Sequence, residues 1–184
     1  IPMNHSLIKA GMKDKSLVFK KSDSNKVIRT ALDMMGETKY IIICMEEITE
    51  LLEVIGDNID GTGSYLHTVE EVADVACCCD ILQIIFDIRS KELAKPEKCK
   101  KKRANMKAHS LLCQSHMILS KYLRHADNRD LDDFREVKAI PCINMMASAV
   151  EMLKNAYGIK DSEIKKLRAI KLDRMKKRIE NNDL

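Results

Sequence analysis

The stretch CMEEITELLEVIGDNIDGTGSYLHTVEEVADVA, residues 44–76, decides the fold. On either side of a Gly-rich break, apolar residues return every three or four positions, the period of an amphipathic helix. The break itself, GDNIDGTGS at residues 56–64, is the clearest turn in the chain. Two helices joined by so short a link fold back on one another as an antiparallel hairpin. Each arm carries a spaced acidic pair, Glu47 and Glu50 in the first and Glu71 and Asp74 in the second. A three-residue step returns a side chain to the same helix face, so the pairs can meet across the hairpin.

Four converging carboxylates repel one another unless something positive sits between them. Oxygen-only donors suit Mg²⁺, which prefers hard ligands and keeps several waters. The natural job of such a site is to hold a phosphate-bearing substrate. The plainer alternative is a solvated acidic face, and Glu71 has a local one as well, a capping box with Thr68. The flanking residues argue for burial: Ile48, Leu51, Leu52 and Ile55 surround the first pair, and Val72, Ala73, Val75 and Ala76 the second.

The 184 residues fit one domain, or two small halves sharing one core. Apolar residues make up 45% of the chain, with 11 Met and no Trp, so aliphatic side chains must do the packing. Few Gly and Pro and long 3.6-period stretches point to an all-α protein. No segment is long and apolar enough to span a membrane, and IPMNHSLIKAGMKDKS lacks the apolar core of a secretory signal. Seven Cys, including Cys77-Cys78-Cys79 with no C-x-x-C spacing, read as reduced core filler in a cytoplasmic protein. The net charge of +4 is mild, with its cations concentrated at Lys95–Lys107 and Lys160–Arg178.

The expected organisation is a weakly ordered segment 1–24 followed by a single all-α domain, 25–184. Helices are predicted from about Asn25 to Met35, Glu37 to Ile55, Val69 to Ser90, Arg103 to Ala126, Ile140 to Gly158 and Asp161 to Asn181. DNRDLDD, residues 127–133, interrupts the pattern. DVACCCDILQIIFDI (74–88) aligns with MMASAVEMLKNAYGI (145–159) at an offset of 71, which places Ala76 on Ala147, Leu82 on Leu153 and Phe86 on Tyr157. The expectation is therefore a four-helix-bundle core of two repeated hairpins, about 37–90 and 103–159, with flanking N- and C-terminal helices. The acids do not recur in the second, degenerate copy, where Cys142 and Met145 stand in place of Glu71 and Asp74. Only the first hairpin can bind a metal through carboxylates.

ALDMMGETKYIIICMEEITELLEVI, the turn, and VEEVADVACCCDILQIIFDI together resemble the MazG-type all-α nucleoside triphosphate pyrophosphohydrolases, relatives of the dimeric dUTPases that often occur in phages. The shared hallmark is E-E-x-x-E followed after a loop by E-x-x-D, present as Glu46-Glu47-x-x-Glu50 and Glu71-x-x-Asp74. KLDRMKKRI, residues 171–179, is similar to the last helix of small phage-type members. The likeness covers residues 25–90 best, and reaches 95–157 only through the internal repeat. It implies hydrolysis of a (d)NTP to the monophosphate and pyrophosphate, with Glu47, Glu50, Glu71 and Asp74 as metal ligands and catalytic acids for Mg²⁺ or Mn²⁺. Glu46 reads as a surface acid. Lys171, Arg174 and Lys177, on one face of the last helix, and Lys39 are the candidate phosphate contacts. Lys39 stands where many phage-type members carry Gln, and Met35 where an aromatic is frequent. The resemblance places the chain in the host cytoplasm if it is phage-encoded, and leaves a homodimer open.

A ferritin-like di-iron site needs Glu-x-x-His pairs, and no His here has a Glu three positions before it. His67, His109, His116 and His125 are taken as loop, surface or boundary residues. The alternative function is a noncatalytic bundle that binds a nucleotide or nucleic acid. CKKKRANMK (99–107) could track phosphates, but with so few aromatics no stacking platform is evident. Nucleic acid is not the expected partner.

Overall fold

A computed structural model describes residues 19–124 and 134–181. Among them are six α-helices and no strand: α1 (Lys21–Met35), α2 (Glu37–Asp60), α3 (Tyr65–Ile85), α4 (Ala104–Arg124), α5 (Ile140–Tyr157) and α6 (Asp161–Glu180). Two short 3₁₀ turns, Ser90–Glu92 and Lys101–Arg103, lie between α3 and α4, and a π-helical turn, Arg135–Ala139, leads into α5. Of the segment expected to be weakly ordered, residues 1–18 lie outside the described residues, as do His125 and the DNRDLDD break. Residues 21–24 already belong to α1, four residues ahead of the expected start.

The hairpin forms as the periodicity requires, but its turn is tighter than the sequence implied. α2 continues through Gly56 to Asp60 and stops at Gly61, whose left-handed backbone (φ 77°, ψ 12°) only glycine adopts without strain. The amides of Thr62 and Gly63 both donate to Asp57 O, at 2.9 and 3.0 Å, closing the helix end. Gly56 costs about 1 kcal/mol relative to Ala in a helix interior, and burial of Val54 and Ile55 beside it offsets that cost. α3 correspondingly begins at Tyr65, not Val69. Asn58 Nδ2 donates to Thr68 Oγ1 at 3.0 Å and Thr68 Oγ1 donates to Ser64 O at 2.9 Å, which fixes the register of the two arms.

α3 is the central helix. Thr68 through Val75 are buried without a break, the mark of a helix enclosed on all sides. α1, α2, α5 and α6 all pack on it, while α4 packs on α5 and on α2. The apolar face read from α2 is the packed one: Ile41, Cys44, Ile48, Leu51 and Ile55 are buried and Leu52 is half-buried. Burial in α5 follows burial in α3 at the offset of 71. Cys142, Ile143, Met146, Ala149, Val150 and Leu153 are buried like Glu71, Val72, Val75, Cys78, Cys79 and Leu82. At one end Phe86, Tyr122 and Phe134 form an aromatic cluster, with ring centroids 4.6–5.5 Å apart. No described helix is long and apolar enough to cross a membrane.

Leu51, fully buried between α2 and its neighbours, and Ile59, 62% exposed near the turn, give a direct test of this packing. Leu51→Ala is expected to lower the unfolding free energy by about 2–5 kcal/mol, and Ile59→Ala to change it by less than about 0.5 kcal/mol, both read from urea denaturation.

Candidate metal centre

Three carboxylates converge where α2 crosses the first turns of α3. Glu47, Glu71 and Asp74 each offer one oxygen, all within 4.8 Å of one another. Glu71 and Asp74 are only 4% and 6% exposed. Glu71 faces the cluster because it does not cap α3. Ser64 is the residue at the helix start and Thr68 lies a turn inside, so the capping box weighed from the sequence does not form. Oε1 of Glu71 lies 3.4 Å from His67 Nε2, whereas its Oε2 is buried with no hydrogen-bond partner. A buried carboxylate oxygen left unpaired is costly.

The electrostatics follow from that geometry. Burial first, and then the neighbouring Glu50, push the Glu71 carboxyl up to about 8, with Lys171 opposing them. Glu47 is raised too, by burial, with Lys171 opposing and Glu50 adding to the rise. Lys171 of α6 enters the cluster and pairs with Asp74. Its ammonium is lowered by its own burial, while Glu47 and Glu71 hold it up. One ammonium against three carboxylates leaves a deficit of positive charge when all three are ionised.

This donor set fits a small divalent cation. The ligands are hard oxygens, they come from rigid helices, and one of them is unsatisfied in the protein itself. Two oxygens on one Mg²⁺ lie ~3 to ~4.2 Å apart in octahedral geometry, so small side-chain rotations would close the cluster. The three residues that would hold the ion are Glu47, Glu71 and Asp74.

The other residues singled out from the sequence are distributed unevenly. Glu50 lies outside the group of three, though close enough to raise Glu71. Glu46 is exposed. Of the expected phosphate contacts, Lys171 is in the cluster and Arg174 is half-buried beside it. Lys177 points to solvent and pairs with Asp173 at 2.7 Å. Lys39 is exposed, ~12 Å along the axis of α2 from Glu47 at 1.5 Å per residue. Two residues went unread. His67, taken as structural, touches Glu71 through an i,i+4 step that the sequence does display. Arg168, one turn before Lys171, pairs with Asp80 and holds the Cys77 thiol, and only its three-residue step to Lys171 marked it.

Cys142, which the offset of 71 sets against Glu71, has a neutral partner. Ser115 Oγ donates to Cys142 O at 3.3 Å and Cys142 Sγ to Ser115 O at 3.7 Å. Burial pushes the Cys142 thiol up to about 12. All seven cysteines are free.

The folded chain keeps the Glu71 proton up to about pH 8, whereas the unfolded chain releases it near the ordinary 4.5. Between those values the native state binds more protons, so metal-free stability is expected to fall as pH rises from about 4.5 to about 8. Thermal melts across that range should show the decline in the parent protein and a flatter profile in Glu71→Gln. An identical decline in both would assign it to another group. Compared with known proteins, the chain matches no family model, no curated protein and no solved structure.

Proposed function

We propose that the protein is a Mg²⁺-dependent nucleoside triphosphate pyrophosphohydrolase, with Mn²⁺ as a substitute ion, that converts a (d)NTP to the monophosphate and pyrophosphate. The observation that carries this reading is the triad of half-buried Glu47 and buried Glu71 and Asp74, with an unpartnered Glu71 oxygen. The resemblance of Glu46-Glu47-x-x-Glu50 and Glu71-x-x-Asp74 to the pyrophosphohydrolase motif supports it. With it goes the architecture, a four-helix core of two related hairpins in which the second lends walls but no ligands.

When bound, the divalent ion would neutralise phosphate oxygens and lower the pKa of a coordinated water. In this reading Glu50, outside the triad but close enough to act on Glu71, accepts the proton of the attacking water. Water oxygen bonds to the α-phosphorus, the α–β bridging bond breaks, and pyrophosphate leaves. Lys171 and Arg174 bring positive charge to the cluster from α6 and are the phosphate contacts, Lys171 exchanging its Asp74 carboxylate for the substrate. The low exposure of Glu71 and Asp74 keeps bulk water from the reacting groups.

One observation favours a second reading. Lys171 already partly neutralises the acids, as an internal lysine would in a bundle that binds nucleotide without turnover. A pyrophosphate-release assay over a panel of nucleotides separates the two. With Mg²⁺ the parent protein is expected to turn over and to lose all release in EDTA. Glu50→Ala should lower kcat by about 10²–10⁴-fold, and Asp74→Ala should be inactive at ordinary Mg²⁺. Release that persists in both variants clears this site, and retention of nucleotide without release identifies the binder.

A further inference from the structure

The link between α3 and α4 is not an idle connector. AKPEKCKKKR, residues 94–103, carries six cations, Lys95, Lys98, Lys100, Lys101, Lys102 and Arg103, against one acid, Glu97. All six are exposed. Like charges so close together repel, and runs of this kind commonly stay mobile. This one is held in a fixed place. The amide of Ala94 donates to Asn144 Oδ1 at 3.0 Å and that of Glu97 to Ser148 Oγ at 2.9 Å, so two side chains one turn apart on α5 grip its backbone. Pro96 between them stiffens the chain. The amide of Arg103 donates to Lys100 O at 2.9 Å, turning the last cations into a 3₁₀ turn that leads into α4.

Among the described residues its charges also meet no carboxylate. Several basic side chains elsewhere find carboxylates, Lys154 with Glu151 and Asp161, Arg168 with Asp80, Lys171 with Asp74 and Arg135 with Glu92, while others, such as Lys39, stand singly on the surface. Among the described residues none of the six has such a partner, and Glu97 is engaged by Lys107, at 3.5 Å. The fold therefore uses two buried or half-buried side chains, Asn144 and Ser148, to anchor a strip whose cations have no carboxylate partner among the described residues.

We infer that the strap 94–103 is a docking surface for the phosphodiester backbone of a nucleic-acid duplex. A duplex supplies the densest regular array of fixed negative charge, about one per 1.7 Å of axis, and binding it releases condensed counterions. The strap has no aromatic side chain on which an unpaired base could stack, so it reads charge and not sequence. Nor does it offer the broad apolar face that seats an interfacial segment in a membrane. Absence of stacking groups weighs against single strands, but it does not weigh against duplex backbone.

The test is fluorescence anisotropy of the full chain with a mixed-sequence duplex of about 20 base pairs, as DNA and as RNA, titrated between about 50 and about 200 mM KCl. If about five of the cations engage, log K should fall against log[salt] with a slope of about −4 to −5. The quadruple variant Lys98→Gln, Lys100→Gln, Lys101→Gln, Lys102→Gln should flatten that slope by about 3 to 4, with helical circular dichroism unchanged. Either duplex satisfies the inference. No binding at the low-salt end, a slope unaltered by the quadruple variant, or tighter binding of a single strand would each overturn it. So would strap-dependent binding of phosphatidylserine vesicles without duplex binding. Failure of the pyrophosphohydrolase reading would leave these outcomes untouched.

Discussion

Burying charge in α3 is the constraint on which the rest of the structure depends. Glu70, Glu71 and Asp74 lie within five residues of a helix that is covered from every side. Taking an ionised carboxylate out of water costs several kcal/mol even after relaxation, unless it is paired or protonated. Each acid of the cluster meets that demand differently. Asp74 takes the Lys171 ammonium, Glu71 takes a histidine ring on one oxygen and keeps its proton into the neutral range, and its second oxygen meets nothing. Well-packed apolar side chains at such positions are commonly at least as stabilising as a buried ion pair.

The remaining elements make that unfavourable arrangement permanent. The α2–α3 turn is held by Gly61 and by the Asn58–Thr68 hydrogen bond, so Glu47 cannot slide away from Glu71 along the hairpin. α6 is tied to the start of α3 by Tyr65 Oη, which donates to the Glu163 carboxylate at 3.2 Å, and this keeps Lys171 opposite Asp74. Sequence spacing sets which residues share a face, the short turn sets which faces meet, and the charge they bring together calls for a cation. Only the last of these links is chemistry in the functional sense. It rests on the first two.

Much of this was readable because helices obey a period. The buried face of α2, the hairpin and the meeting of Glu47 with Glu71 and Asp74 all follow from three- and four-residue steps. Boundaries were less legible. Gly56 looks like a stop, yet helix closure is decided where a left-handed residue and free carbonyls coincide, and that is Gly61. Charge partners were the least legible of all. Lys171, Arg174 and Lys177 have equivalent spacing, but one is inside the cluster, one beside it and one in solvent. The difference is set by how α6 crosses α3, a tertiary quantity that no local pattern carries. The Thr68 capping box failed for a related reason, since a consensus of that kind assumes the helix begins at Thr68.

The cysteines have a consequence of their own. Cys44, Cys78, Cys79 and Cys142 are packed into the interface of α2, α3 and α5; a hydrogen bond with Cys44, and then burial, suppress the Cys78 thiolate, and burial suppresses those of Cys79 and Cys142. Alkylating reagents attack the thiolate, so these sulfurs become reactive only when the core opens, while Cys99 and Cys113 stay half-exposed throughout. The chain thus carries its own chemical recorder of unfolding. The fraction of molecules labelled at Cys78, Cys79 or Cys142 would report how many have opened.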